Sequence, residues 1–117
     1  ACQLVTPADV ERALGAPVSD GPADNDNRCS YRSRGGSDVE VTVDRPGFTG
    51  AVGAYLRLNP DAEPVEGIGE EAAVRLGAGK GELVFVKGPA RFFAVVTGQR
   101  SSREVLVDLA IAAAGRL

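Results

Sequence analysis

Cys2 and Cys29 are the only thiols of a chain that has no His, Met or Trp. A metal centre would ask for further thiolate or imidazole ligands, and a cysteine nucleophile would ask for a histidine base. One even pair in so small a domain reads instead as a single disulfide, the habit of chains that fold in an oxidising compartment. On chain-entropy grounds, closing a loop of this length contributes roughly 3 kcal/mol. A second reading takes Ala1-Cys2 as the tail of a lipobox with Cys2 lipidated, which would leave Cys29 without a bridge partner. With no Met, the chain is expected to be a mature product or an excised domain.

The other chemistry-bearing patterns fall in the wrong context. Gly67-Ile68-Gly69-Glu70-Glu71-Ala72 has the letters of a dinucleotide fingerprint, but a Pro-containing linker precedes it and a strand-like run follows. The fingerprint needs a strand before and a helix after, and Glu70 and Glu71 would repel a phosphate. A structural turn with flexible backbone at Gly67 and Gly69 is the expectation. In Gly77 to Gly81, Lys80 is followed by Gly81 rather than Ser or Thr, so this stretch is expected to be a hairpin turn. Asp20, Asp24 and Asp26, with Asn25 and Asn27, offer oxygen ligands, but not at calcium-loop spacing and without the bidentate Glu such a loop uses. There is no Gly-x-Ser-x-Gly elbow. Sixteen carboxylates could supply an acid and a base only through the fold, since adjacent Glu70 and Glu71 would point to opposite faces of a strand. No catalytic residue, metal ligand or cofactor is predicted.

The elements follow from local signals. Thr6-Pro7-Ala8-Asp9 is an N-cap, a first-turn Pro and an acidic third position, and Gly15 is a left-handed stop, giving a helix from Pro7 to Leu14. Ala16 to Arg28 reads as a long polar connection. Alternation at Cys29 to Arg32 and Val39 to Val43, split by Gly35-Gly36, predicts a hairpin that turns Cys29, Tyr31, Val39, Val41 and Val43 to the core. Phe48, Val52, Tyr55 and Leu56 form a second helical stripe closed by Asn59-Pro60, followed by an Asp61 to Glu66 linker. Three strands, Ala72 to Leu76, Glu82 to Lys87 and Arg91 to Thr97, are joined by short turns, as in an antiparallel meander. A capping box at Ser101 to Glu104 opens a last helix with Val105, Leu106, Leu109, Ala110 and Ala113 on one face. The expected fold is therefore α+β: one domain over residues 1–117, ordered α-ββ-α-βββ-α, with helices packed on an antiparallel sheet of about five strands.

Thirteen basic against sixteen acidic residues give a formal charge of -3, and the basic residues are scattered, so no nucleic-acid partner is expected. No apolar run approaches the roughly 20 residues that span a bilayer. Membrane association would then be peripheral, through a lipid anchor or fusion to a membrane segment.

Four segments together carry a resemblance: Cys2-Gln3-Leu4-Val5-Thr6-Pro7-Ala8-Asp9-Val10, Ala13-Leu14-Gly15, Cys29-Ser30-Tyr31, and Gly67 to Ala72. They resemble the small secreted or lipid-anchored domains of unknown function common in actinobacteria. In those, a Cys opens a helix ending in Leu-Gly, a second Cys precedes a Tyr-containing strand, and a Gly-hydrophobic-Gly-acidic-Ala turn precedes the last strands. The resemblance implies a bridge between Cys2 and Cys29 and residence at the cell envelope. It also implies a sheet-and-helix sandwich similar to the extracellular sensor domain of mycobacterial serine/threonine kinases and to the PsbP photosystem subunit. It implies no catalytic residue.

The functional expectation is a non-enzymatic, extracytoplasmic binding module, secreted or lipoprotein-type, whose partner is an envelope protein or a small ligand. Its candidate binding surface is the groove between the sheet and the second helix, at Phe48, Val52 and Tyr55. The alternatives are a small carboxylate-dependent hydrolase or lyase and a self-assembling structural subunit.

Overall fold

The structure is a computed structural model and describes residues 3–20, 28–33, 36–44, 51–98 and 101–117. In chain order the elements are α1 (Pro7–Leu14), β1 (Val18–Asp20), β2 (Arg28–Ser33), β3 (Asp38–Asp44), α2 (Ala51–Leu58), β4 (Glu63–Val65), β5 (Glu71–Gly77), β6 (Lys80–Lys87), β7 (Ala90–Thr97) and α3 (Arg103–Arg116). The described strands form one antiparallel sheet in the order β1-β2-β3-β7-β6-β5-β4. The α+β class stands, with seven strands in place of about five. The two additions, β1 and β4, are three-residue edges whose ladder bonds come from β2 and β5, inside stretches that read as polar connection and linker. Pro64 sits in β4, at the sheet edge, where a residue without an N–H costs no inner ladder bond.

Strand alternation divides the sheet into two faces. Odd positions of β2, β3, β6 and even positions of β5 and β7 build the main core with α1 and α3, around Tyr31, Val41, Val74, Leu83, Phe85 and Phe92. Phe85 and Phe92 are directly paired across β6 and β7, with ring centroids 4.9 Å apart and stacked. The opposite face carries a smaller cluster in which α2 lies on Ala73 and Val84. α3 buries Val105, Leu106, Leu109, Ala110 and Ala113, the face read from its spacing. Its N-cap is Ser102, whose hydroxyl accepts from the Val105 N–H at 3.2 Å, one residue later than the expected capping box. Glu104 thus falls at the second helical position, where it still meets the positive end of the helix dipole.

α1 forms as its sequence dictates. The Thr6 hydroxyl accepts from the Asp9 N–H, Asp9 Oδ2 accepts from the Thr6 N–H at 2.9 Å, and Gly15 closes the helix at φ 71°. Asp9 does a second job. Arg116, at the far end of α3, donates from Nη1 to Asp9 Oδ2 at 2.5 Å and to the Leu4 carbonyl at 2.7 Å. The Tyr31 hydroxyl, from β2, donates to the Val5 carbonyl. The segment leading into α1 is therefore pinned between the sheet and the last helix turn.

This tie predicts a specific acid sensitivity. The hydrogen bond from Arg116 is the main cause that holds Asp9 near pKa about 2, below the usual 3.8, against a burial penalty that pushes the other way. A carboxylate with a lowered folded pKa contributes stability that is complete above the unfolded value and is lost as pH falls toward the folded one. Arg116 is 40% exposed, so solvent screening trims the contribution to about 1–2 kcal/mol. Denaturant unfolding between pH 5 and about pH 2 is expected to show a steeper loss of stability in the native protein than in Asp9→Asn. Equal slopes would mean that this pair contributes nothing.

Candidate functional site

Helix α2 is attached to the sheet by apolar and polar contacts of different kinds. Val52 is 3% exposed and packs with Ala73 and Val84, with Tyr55, Leu56, Val86 and Phe93 around them. The Tyr55 ring meets Phe93 edge-on at 6.4 Å, and its hydroxyl donates to Glu82 Oε1 at 2.6 Å. Burial first, and then the bond to Glu82, push the Tyr55 phenol well above its ordinary pKa of 10. It stays a neutral donor at physiological pH and is unsuited to act as a base. Arg75 approaches Glu82 at 3.8 Å and donates to Asp61 Oδ2 at 2.9 Å and Asn59 Oδ1 at 3.0 Å. Its hydrogen bond to Asp61 lowers that carboxyl below the usual range. The network ties the end of α2 to β5 and β6, and every member has a structural partner.

Beside α2 the chain from β4 to β5 leaves a groove of about 380 Å³. Val52, Gly53 and Leu56 form one wall, and Pro64, Val65, Ile68 and Ala72 form the other. Ile68, 3% exposed, reaches into the main core, so the turn that bears it is anchored from below. Gly67 and Gly69 take φ 86° and 57°, the left-handed conformation expected of this turn. The Glu70 N–H donates to the Val86 carbonyl at 2.9 Å, and Glu70 Oε1 accepts from the Gly88 N–H at 3.1 Å, which stitches the turn to β6 and its hairpin. Glu66, Glu70 and Glu71 complete the lining. Glu70 is engaged by Gly88, whereas Glu66 and Glu71 are exposed and make no ion pair among the described residues.

The residues singled out in the sequence fare unequally. Phe48 lies outside the described residues. Val52 is the buried foot of α2 and lends one edge to the groove, while Tyr55 is half-buried and faces Glu82 and Phe93 rather than the groove. Leu56 belongs to the predicted stripe and does line the groove, but Gly53, Pro64, Val65 and Ile68 were not marked as site residues. The one available signal was Ile68, a large apolar side chain between two glycines in an otherwise acidic turn. Cys29 is 3% exposed on the core face of β2, whereas Cys2 lies outside the described residues, as does the Gly21 to Asn27 stretch holding Asp24 and Asp26.

Two other concavities are built differently. A groove between α1 and α3 runs past Asp9, Arg12, Ala13 and Ile111, but its buried carboxylate is already committed to Arg116. A concavity of about 400 Å³ over β2, β3 and β7 mixes Arg32 and Lys80 with Asp38 and Glu40, so neither sign of charge prevails. Among the described residues, no group of three or more His, Cys, Asp or Glu is placed to hold a metal ion, and no helix is long and apolar enough to cross a membrane.

No family model matches the chain, and no curated protein matches it. Among solved structures, a protein from Bacteroides thetaiotaomicron VPI-5482 is similar at a TM-score of 0.57 and 14% identity, over 83% of this chain and 41% of that one. The chain thus spans about two-fifths of that protein's length, and the likeness concerns the fold alone.

Proposed function

We propose that this chain is a non-enzymatic, extracytoplasmic binding module, of the secreted or lipoprotein type that its cysteine and Gly67 to Ala72 segments resemble, and that its ligand sits in the groove between α2 and the Pro64 to Ala72 segment. The observation that carries the reading is the groove itself, lined by aliphatic side chains of α2 and the Pro64 to Ala72 segment together with Glu66, Glu70 and Glu71, with an anchored turn on one side. Small-molecule sites are concave and mostly apolar, with a few polar groups that orient the ligand. The polar network around Tyr55 supports recognition over catalysis, because its phenol and carboxylates are spent on holding α2 in place.

Octyl-chain compounds serve as probes of the apolar walls. Titration of the isotope-labelled chain with octanol is expected to shift the amide signals of residues 52–56 and 65–72 and few others. Shifts gathered over β2, β3 and β7, or between α1 and α3, would overturn the assignment of the groove. So would turnover of an envelope ester, glycoside or peptide that disappears on a single Asp or Glu substitution with folding retained.

A further inference from the structure

We infer that the groove selects a small primary amine with an aliphatic body, an inference that rests on the groove being the binding site. Size comes first. A cavity of about 380 Å³ is near the lower end of the range for small-molecule sites, so it takes one small ligand rather than a protein surface. The walls are aliphatic, from Val52, Leu56, Pro64, Val65, Ile68 and Ala72, and call for a hydrocarbon stem. Among the described residues this lining holds no aromatic ring of the kind that recognises quaternary ammonium groups by cation–π attraction. A primary ammonium fits instead, because its three N–H donors can satisfy the carboxylate oxygens of the lining.

The charge balance around the groove points the same way. Glu66 and Glu71 line the groove, exposed and without an ion-pair partner among the described residues, and Glu70 adds a third carboxylate. Of the cations on neighbouring elements, Lys87 reaches to α3, on the opposite face of the sheet from α2, where it donates to the Ala114 carbonyl at 2.7 Å, and Arg103 pairs with Glu63 at 3.2 Å. Arg57 remains, its guanidinium 3.8 Å from the position a Cβ would take on Gly53, and it offsets one of the three charges. Among the described residues the lining thus combines aliphatic side chains with three carboxylates and no Lys or Arg, the complement of an alkylammonium and the opposite of what a fatty acid would need.

The test compares octylammonium, octanol and octanoate, which share one stem and differ in head group, by amide shift titration of the whole chain at neutral pH. Octylammonium is expected to shift residues 52–56 and 65–72 and to bind about fivefold tighter than octanol, as two partly solvated charge contacts would provide, with octanoate weakest. In Glu66→Gln/Glu71→Gln, octylammonium should fall to the level of octanol while octanol itself is unchanged. Glu70 is left intact because it holds Gly88. If octanol or octanoate matches octylammonium at the same residues, or the double variant keeps the preference, amine selection is wrong and the groove assignment survives. If none of the three moves these residues, both fall.

Discussion

Reduction of the native protein is expected to lower its stability by roughly 2–5 kcal/mol, the usual consequence of losing a native bridge from a small secreted domain. The melting temperature should fall by about 10 °C or more for a domain of this size. The proposed bridge joins Cys2 to Cys29, and Cys29 is buried on the core face of β2. Tyr31, two residues along the same core-facing side of β2, holds the Val5 carbonyl through its hydroxyl. Two residues, Gln3 and Leu4, separate Val5 from Cys2, a span of at most roughly 11 Å when extended. Val5, three positions after Cys2 in the sequence, is thus tied to the strand that carries Cys29. Alkylation without reduction, followed by mass measurement, is expected to find no modified cysteine. Two alkylated cysteines in freshly isolated protein would remove the bridge, and an unchanged melting temperature on reduction would make it incidental.

Replacing Gly69 with Val is expected to cost roughly 3 kcal/mol, from backbone strain and steric overlap acting together. At φ 57° a β-branched residue is strained whatever the space around it. Space is also lacking: a Cβ at this position would lie 2.5 Å from the Val86 carbonyl oxygen and 2.9 Å from Phe85 Cδ1. The first neighbour is backbone within β6 and cannot swing aside as a side-chain tip would. Gly67→Ala separates the two effects, since its φ of 86° is equally unsuited to a side chain but nothing lies within 4 Å of the new Cβ. That change should cost only about 1 kcal/mol. Chemical denaturation of both variants checks the pair, and equal losses would show that the close approach to β6 is not what requires Gly69. Because Gly69 sets the turn that carries Ile68 and Glu70, the loss should also disturb the groove wall.

Where the sequence was readable, the controlling interactions are local. Thr6, Asp9 and Gly15 cap α1 through residues three or four apart, so its bounds from Pro7 to Leu14 could be read directly. β5, β6 and β7 are joined by short turns, and their core faces follow from alternation alone. β1 and β4 were not readable, because three residues such as Glu63-Pro64-Val65 become a strand only when a neighbour supplies the ladder. Nor does anything local say that β3 lies against β7, more than fifty residues apart for Val39 and Val96. That pairing merges two meanders into one sheet. The groove belongs to this second kind. Val52 and Leu56 announce a helix face, but the opposite wall comes from Pro64 to Ala72, which approaches only after β5 has joined the sheet. The tie between Tyr55 and Glu82 is hidden for a related reason: the two are twenty-seven residues apart and the contact is invisible to spacing.

The central claim is that the groove beside α2 is where this chain recognises its ligand, and Gly53→Phe tests it most directly. A Cβ on Gly53 meets only the Arg57 guanidinium, at 3.8 Å, so a ring can be added to the groove wall without displacing the core. Replacing a glycine inside a helix should not reduce the stability of α2. Native and Gly53→Phe chains would each be passed through the same cell-envelope extract, washed, and weighed intact by native mass spectrometry, with their melting temperatures compared. The account predicts a small molecule retained by the native chain and absent from a Gly53→Phe chain that melts no lower. Retention of the same molecule by both chains, or by neither, would contradict it.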